Sequence, residues 1–297
     1  MVGAIQLIGK DETGKYFLSK QGEEFLSTIE QPLHILSVCG SYRTGKSTLL
    51  NLLVDAKDAK NGFDTGSSIN RCTQGIFIYN KVIEKQSKQI LIVDSEGLNS
   101  VEATAEHDNI IFCLTLLLSS SFIYNSVGPI NDSSLNNISL ISNLTKQLQQ
   151  HSNNDVSLLM PELVWLSRDF ALELKDKKGD QITEAEYLEL CLKLTGIPEK
   201  DSVRKSIIES FPHRKFEHLI RPVTDEKDLR DLSMDKLRDS FKKEMDVLKH
   251  NLFSNIKPKK LQGQNLTGKT YISVIKSYIE AVNKDGVPKI KDTWRML

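Results

Sequence analysis

The chain has 297 residues, with 39 Lys plus Arg set against 39 Asp plus Glu, and this zero net charge argues against a dedicated nucleic-acid or polyanion binder. Apolar residues at 39% and this length suit one large α/β domain, or one domain with helical additions. The longest strongly apolar run, 110–118, is too short to span a bilayer, and Cys39, Cys72, Cys113 and Cys191 lack CxxC spacing, so the pattern reads as buried free thiols in a reducing compartment.

The chain opens on an alternating stretch, Ala4 to Ile8, which reads as a short strand, and Met1 to Ile8 is too short for a signal-peptide core. A turn at Asp11 to Lys15 and a return strand at Tyr16 to Leu18 make a hairpin. Glu23 to Ile29 has a short helical pattern, and Gln31-Pro32 ends it before the apolar strand Leu33 to Cys39.

Next comes Gly40-Ser41-Tyr42-Arg43-Thr44-Gly45-Lys46-Ser47, a match to GxxxxGK[ST], followed by the amphipathic run Thr48 to Leu53. Strand, glycine-rich loop and helix are the context this phosphate-binding motif needs. Backbone N–H groups and the positive end of the helix favour an anion there. Lys46 suits the β and γ phosphates, and the Ser47 hydroxyl suits Mg²⁺.

Residues 55–73 read as a long polar loop of the functional kind, ending in Arg71-Cys72-Thr73-Gln74-Gly75. Thr73 is the candidate first-switch residue, closing over Mg²⁺. Ile76 to Tyr79 and Gln89 to Val93 follow as an antiparallel pair added to a mostly parallel sheet, with a turn over 84–88. The second strand ends in Asp94-Ser95-Glu96-Gly97-Leu98. Asp94 stands where such a site takes a second Mg²⁺ contact, and the Gly97 N–H can meet a γ-phosphate.

Asn109 to Leu118 predicts a buried helix, 119–122 the start of a strand with Tyr124-Asn125-Ser126 at its end, and 134–150 an amphipathic helix. Leu163 to Leu166 is the next strand, running into Ser167-Arg168-Asp169-Phe170. A carboxylate at a strand end can accept from guanine N1 and N2, a donor pair adenine lacks. An Arg–Asp pair on the surface fits the same residues, and the familiar Asn-Lys-x-Asp form is absent. Thr183-Glu184-Ala185-Glu186 has capping-box spacing at the head of a helix running to Leu194. Gly196-Ile197-Pro198 stops it, and 202–210 is another short helix. Pro212 to Lys215 reads as a solvated basic cluster, 217–222 as the last strand, 225–250 as a charged helix pressed on the domain edge, 257–263 as a basic loop and 270–282 as an amphipathic helix. Gly286-Val287-Pro288 breaks it, and the segment to Leu297 reads as an interrupted helix.

Taken together, Tyr42 to Ser47, Asp94 to Leu98, Leu116 to Ser120, Phe122 to Ser126, Val164 to Phe170 and Asp285 to Pro288 resemble the large-GTPase domain of guanylate-binding proteins, in the dynamin-like superfamily with the atlastins. The resemblance implies a P-loop NTPase three-layer α/β fold with a mostly parallel central sheet, added antiparallel strands and extra C-terminal helices. It makes 1–297 one GTPase domain, with 283–297 opening a linker or helical region. It implies hydrolysis of GTP to GDP with Mg²⁺ on Ser47, Thr73 and Asp94, and a homodimer formed through the nucleotide face. Arg43 matches a catalytic finger acting in cis, and Arg168-Asp169 the base-recognition motif. Tyr42, Thr44, Gly45, Lys46, Thr48, Arg71 and Gly97 join the nucleotide contacts. Arg221 resembles the arginine near a guanine cap, which 222–245 would form. Glu96 matches an acidic second-switch residue in a water network. Arg71-Cys72-Thr73-Gln74 departs from the family's Ser-His-Thr-Lys order and keeps only the threonine, so Arg71 competes for the finger role and production of GMP stays open. A GTP-binding assembly switch with little hydrolysis is the alternative. The protein is expected in the cytoplasm, without nucleic-acid partners, and with membrane association only through parts outside this chain.

Overall fold

A computed structural model describes residues 2–41, 43–56, 61–65, 75–96, 104–139, 160–225, 227–228, 235–261 and 263–285. Strands β1 (Ala4–Lys10) and β2 (Tyr16–Leu18) form the expected antiparallel hairpin. The Asp11 carboxylate tightens its turn by accepting the backbone N–H groups of Thr13 and Lys15, each at 2.9 Å. Helix α1 (Lys20–Ser27) starts where Ser19 Oγ accepts from the Gly22 N–H at 3.0 Å.

Strand β3 (Leu33–Gly40) is buried along its whole length. Leu33, Ile35 and Cys39 enter one core and Leu36 and Val38 the other, the period of two that a strand covered on both faces requires. Helix α2 (Lys46–Leu53) follows the glycine-rich loop, and β4 (Ile76–Tyr79) comes next. The turn expected over 84–88 is shorter than that. Strand β5 (Ile83–Lys85) pairs with the head of β6 (Lys88–Ser95), and only Gln86 and Ser87 turn, with φ of 50° and 60°. Two consecutive positive φ values match the twist of a tight hairpin.

Helix α3 (Ala105–Leu118), strand β7 (Ser121–Val127), a helical segment over 132–139 and strand β8 (Glu162–Arg168) continue the chain. The rest of the helix expected to residue 150 lies outside the described residues. Helix α4 (Glu184–Leu192) carries the complete capping box of Thr183 and Glu186, and α5 (Pro198–Ser210) begins on its proline. Strand β9 (Arg214–Leu219) takes in part of the cluster expected to be solvated, because the Arg214 guanidinium grips Glu189 with two bonds of 2.8 Å.

The helix expected over 225–250 starts later, as α6 (Asp239–Asn255). Ahead of it the Asp225 carboxylate accepts from the Lys227 N–H at 2.9 Å, and the Arg238 N–H donates to the Pro222 carbonyl at 2.9 Å. These bonds shape the described residues ahead of Asp239, while 226 and 229–234 of the expected helix lie outside the described residues. A small ribbon, β10 (Lys260–Leu261) with β11 (Gln264–Asn265), precedes the last helix, α7 (Gly268–Asp285). The interrupted end expected beyond it, 286–297, falls outside the described residues.

The main sheet runs β2-β1-β4-β6-β3-β7-β8-β9, with β5 also on β6. β6, β3, β7, β8 and β9 are mutually parallel, while β1, β2, β4 and β5 join antiparallel. One face is covered by α1, α3, α4, α5 and α7, and the other by α2 and α6. This is the three-layer α/β arrangement with a mostly parallel core that the sequence predicts. Among the described residues no helix is long and apolar enough to cross a membrane.

Candidate nucleotide site

The carboxyl ends of the parallel strands share one edge, the place where open α/β sheets bind ligands. Register puts Val38 beside Asp94, Gly40 beside Asn125 and Val127 beside Arg168. The loop after β3 can turn there because Gly40 has φ 150°, and a Cβ on it would lie 2.1 Å from the Asn125 carbonyl oxygen. Gly45, at φ 78°, is the N-cap of α2. The first-turn N–H groups of any helix have no partner within the helix, so those of Lys46, Ser47 and Thr48 are placed to face an anion.

Lys46 is buried, and its Nζ donates back across the loop to the Ser41 carbonyl at 3.0 Å. Burial pulls its pKa down, opposed by the nearby Asp94 carboxylate. Ser47 Oγ donates to Asp94 Oδ2 at 2.7 Å. Burial pushes Asp94 up to about 6, against the pull of Lys46 and of the Ser47 hydrogen bond. Its second oxygen, Oδ1, is buried with no hydrogen-bond partner among the described residues. An orphaned carboxylate oxygen beside a serine hydroxyl is a hard-oxygen set of the kind Mg²⁺ takes, one or two protein ligands with the rest left to phosphate and water. The residues present therefore fit the ion.

Arg43 stands on the exposed outer turn of the loop at φ 62°, in the left-handed region where a non-glycine residue is under strain. Thr44 is held by Asn125, whose Nδ2 donates to the Thr44 carbonyl at 3.0 Å and to its Oγ1 at 2.8 Å. Arg168 ends β8 and points inward. Its Nη1 reaches the Gly45 carbonyl at 3.4 Å, and burial pushes its pKa down to about 10. Asp169 turns outward at φ 53° and is exposed. Arg221 lies two residues beyond β9, where its carbonyl accepts from Arg238 Nη1 at 3.4 Å. Glu96 is almost fully buried, and its Oε2 accepts from the Gly75 N–H at 2.9 Å and meets His107 Nε2 at 2.9 Å. Tyr42, Arg71, Thr73 and Gly97 lie outside the described residues.

The structure thus brings Lys46, Ser47, Asp94, Thr44 and Arg168 to one edge of the sheet. Sequence reasoning missed Asn125 and His107. Asn125 was legible only as a strand-end residue, since its grip on Thr44 spans 81 positions. His107 is a polar residue in the first turn of a helix, and nothing local marks it.

A loop of this form between a central parallel strand and its helix, with a buried Asp at the neighbouring strand end, defines an α/β protein of P-loop NTPase-like arrangement. Comparison with known proteins narrows the class. The family model described as "Guanylate-binding protein, N-terminal domain" matches residues 14–261. The chain is 33% identical over 307 aligned residues to guanylate-binding protein 1 of Chlorocebus aethiops, covering 97% of this chain and 51% of that protein. It is 32% identical over 312 to guanylate-binding protein 4 of Homo sapiens, covering 98% and 48%. The same identity holds over 287 for guanylate-binding protein 3 of Mus musculus, covering 90% and 46%. The chain belongs to the guanylate-binding protein family, within the dynamin-like large GTPases. It spans about half the length of these relatives.

Proposed function

We propose that this chain binds GTP and hydrolyses it to GDP in a Mg²⁺-dependent reaction, and that it dimerises through its nucleotide face. The observation that carries the reading is the Ser47–Asp94 pair with its orphaned Oδ1, set beside Lys46 at the mouth of the glycine-rich loop. Family membership supports the choice of nucleotide.

In this reading the β and γ phosphates rest on the first-turn N–H groups of α2 and on the Lys46 ammonium. Ser47 and Asp94, with Thr73, would hold Mg²⁺, which supplies charge neutralisation on the β and γ oxygens. Arg43 offsets charge that develops at the β–γ bridge, and that makes its guanidinium worth more in the transition state than in the ground state. Arg168 props the loop from below through the Gly45 carbonyl, while the outward Asp169 accepts from guanine N1 and N2. Tyr42, Gly97 and Arg71 complete the nucleotide contacts, and Arg221 borders the base. Glu96 acts by holding, since its carboxylate is already engaged by Gly75 and His107. Catalysis is then positioning and electrostatics, with water attacking in line.

The test is nucleotide titration with product analysis. The wild type is expected to prefer GTP over ATP and to release GDP, and Asp169→Asn to lose the preference. Equal affinity for both nucleotides would sink the assignment of the base. Chromatographic separation of GDP from GMP settles the extent of cleavage in the same assay.

A further inference from the structure

Behind the phosphate edge runs a hydrogen-bonded chain that the functional reading uses only at Glu96. Glu96 and Gly75 bind each other twice. The Gly75 N–H donates to Glu96 Oε2 at 2.9 Å, and the Glu96 N–H donates to the Gly75 carbonyl at 3.0 Å. Gly75 has no room to yield, because at φ 95° a Cβ would come within 2.2 Å of the Ile8 carbonyl oxygen. This pair of hydrogen bonds ties the residue that enters β4 to the residue that leaves β6.

The carboxylate is in turn fixed from the other side. His107 Nε2 lies 2.9 Å from Glu96 Oε2, and His107 Nδ1 lies 2.7 Å from the Tyr16 hydroxyl. The imidazole also stacks on the Tyr16 ring, with centroids 5.7 Å apart and planes at 8°. Burial, then the nearby carboxylates of Glu96, Glu106 and Asp108, raise the Tyr16 pKa, so its hydroxyl stays a donor. A carboxylate only accepts, so His107 Nε2 carries a proton and donates to Glu96, and in the neutral imidazole Nδ1 accepts from the Tyr16 hydroxyl. Tyr16 is itself clamped. Its N–H donates to Asn283 Oδ1 and its carbonyl accepts from Asn283 Nδ2, each at 2.9 Å. The donors therefore converge on Glu96 Oε2, which accepts from His107 on one side and from the Gly75 N–H on the other.

We propose that His107, held by Tyr16, is a positioning residue for the nucleotide site: it fixes the Glu96 carboxylate on the Gly75 N–H and so sets the spacing between the chain entering β4 and the chain leaving β6. In sequence Gly75 lies two residues after Thr73 and Glu96 one before Gly97, the residues proposed for metal and γ-phosphate. Loss of the imidazole removes one of the bonds that hold the carboxylate and loosens that spacing, with no direct contact to nucleotide removed. The turnover arm of the test rests on the GTPase reading above, and the exchange arm does not.

The decisive variants are His107→Phe, which keeps a flat ring without nitrogens, His107→Gln, which keeps a donor near Nε2, and Tyr16→Phe, which removes one hydroxyl. Amide exchange of the segment over 75–79, without nucleotide, is expected to accelerate in His107→Phe and to return toward wild type in His107→Gln. At saturating GTP the turnover of His107→Phe is expected to fall about 10-fold or more, as for other lost orienting partners, with GTP affinity within about threefold. Tyr16→Phe is expected to shift both readouts the same way by less, and it decides the matter if His107→Phe fails to fold. Wild-type exchange at 75–79 in both His107→Phe and Tyr16→Phe overturns the proposal, and so does faster exchange spread evenly over the whole molecule. A wild type that turns over no GTP overturns the GTPase reading, while the exchange result still decides the role of His107.

Discussion

At the scale of single residues, Arg43 is where the mechanism is most exposed to test. Its backbone is held at φ 62° in the loop, so its side chain departs from a fixed and strained base. Arg43→Ala is expected to lower kcat roughly 100-fold or more with little change in GTP affinity, and Arg43→Lys to recover little because the planar fork is lost. Single-turnover hydrolysis with Arg71→Ala alongside decides between the two arginines, and a near-normal rate in Arg43→Ala beside a collapsed one in Arg71→Ala would move the role to Arg71. Lys259 offers a second test. It is buried under the end of α3, with Nζ donating to the Ser119 carbonyl at 2.7 Å. Burial pushes its pKa from 10.5 to about 7. Between those values the unfolded chain binds more protons at this site than the folded one, so stability rises with pH across that window. The contribution is full above the unfolded value and is lost as pH falls through about 7. Urea unfolding of wild type and Lys259→Met from about pH 7 to 9.5 should show the variant's relative stability declining as pH rises. Parallel pH profiles would contradict this.

At the scale of elements, α4 is the clearest test of local encoding. Thr183 Oγ1 accepts from the Glu186 N–H at 3.2 Å, and Glu186 Oε2 accepts from the Thr183 N–H at 2.8 Å. Thr183→Ala is expected to cost about 1 kcal/mol, or roughly 2–4 °C in Tm, and an unchanged melting curve would show that packing of Leu188 and Leu192 alone carries this helix. This box was legible because both partners lie within one turn. So were the β1–β2 hairpin, with Asp11 and Gly14 in its turn, and β3, with its apolar run ahead of the glycine-rich loop. What escaped was decided by distant groups. The charged stripe over 225–250 reads as one helix, but the Pro222 carbonyl takes the Arg238 N–H and delays the start to Asp239. Lys259 sits in a stretch that reads as a basic loop, and the end of α3 draws it inside. In the site, Lys46, Ser47 and Asp94 were readable from motif and strand end. His107 was not, because the atoms that give it a role belong to Tyr16 and Glu96.

At the scale of the whole molecule, the nucleotide edge is proposed as the dimer face, with the segment over 222–245 alongside it. Light scattering at tens of micromolar protein is expected to show a monomer without nucleotide and a dimer with GDP and aluminium fluoride. A persistent monomer with that mimic would count against the arrangement. The opposite side of the molecule is closed by its own chain. The Leu33 N–H donates to the Leu266 carbonyl at 2.8 Å, and the Gly268 N–H donates to Ile29 at 2.9 Å. Gly268 has no room for a side chain, since a Cβ would lie 1.8 Å from the Leu26 carbonyl oxygen. Asn283 then grips both main-chain groups of Tyr16 across 267 positions. During synthesis, at about 5–20 residues per second, Tyr16 emerges on the order of tens of seconds before the asparagine that holds it. The first hairpin and the strand that feeds the glycine-rich loop must wait through that interval with their seams open. A ribosome stalled ahead of residue 266 would therefore carry a chain with its phosphate motif already made and the frame around it still unfastened.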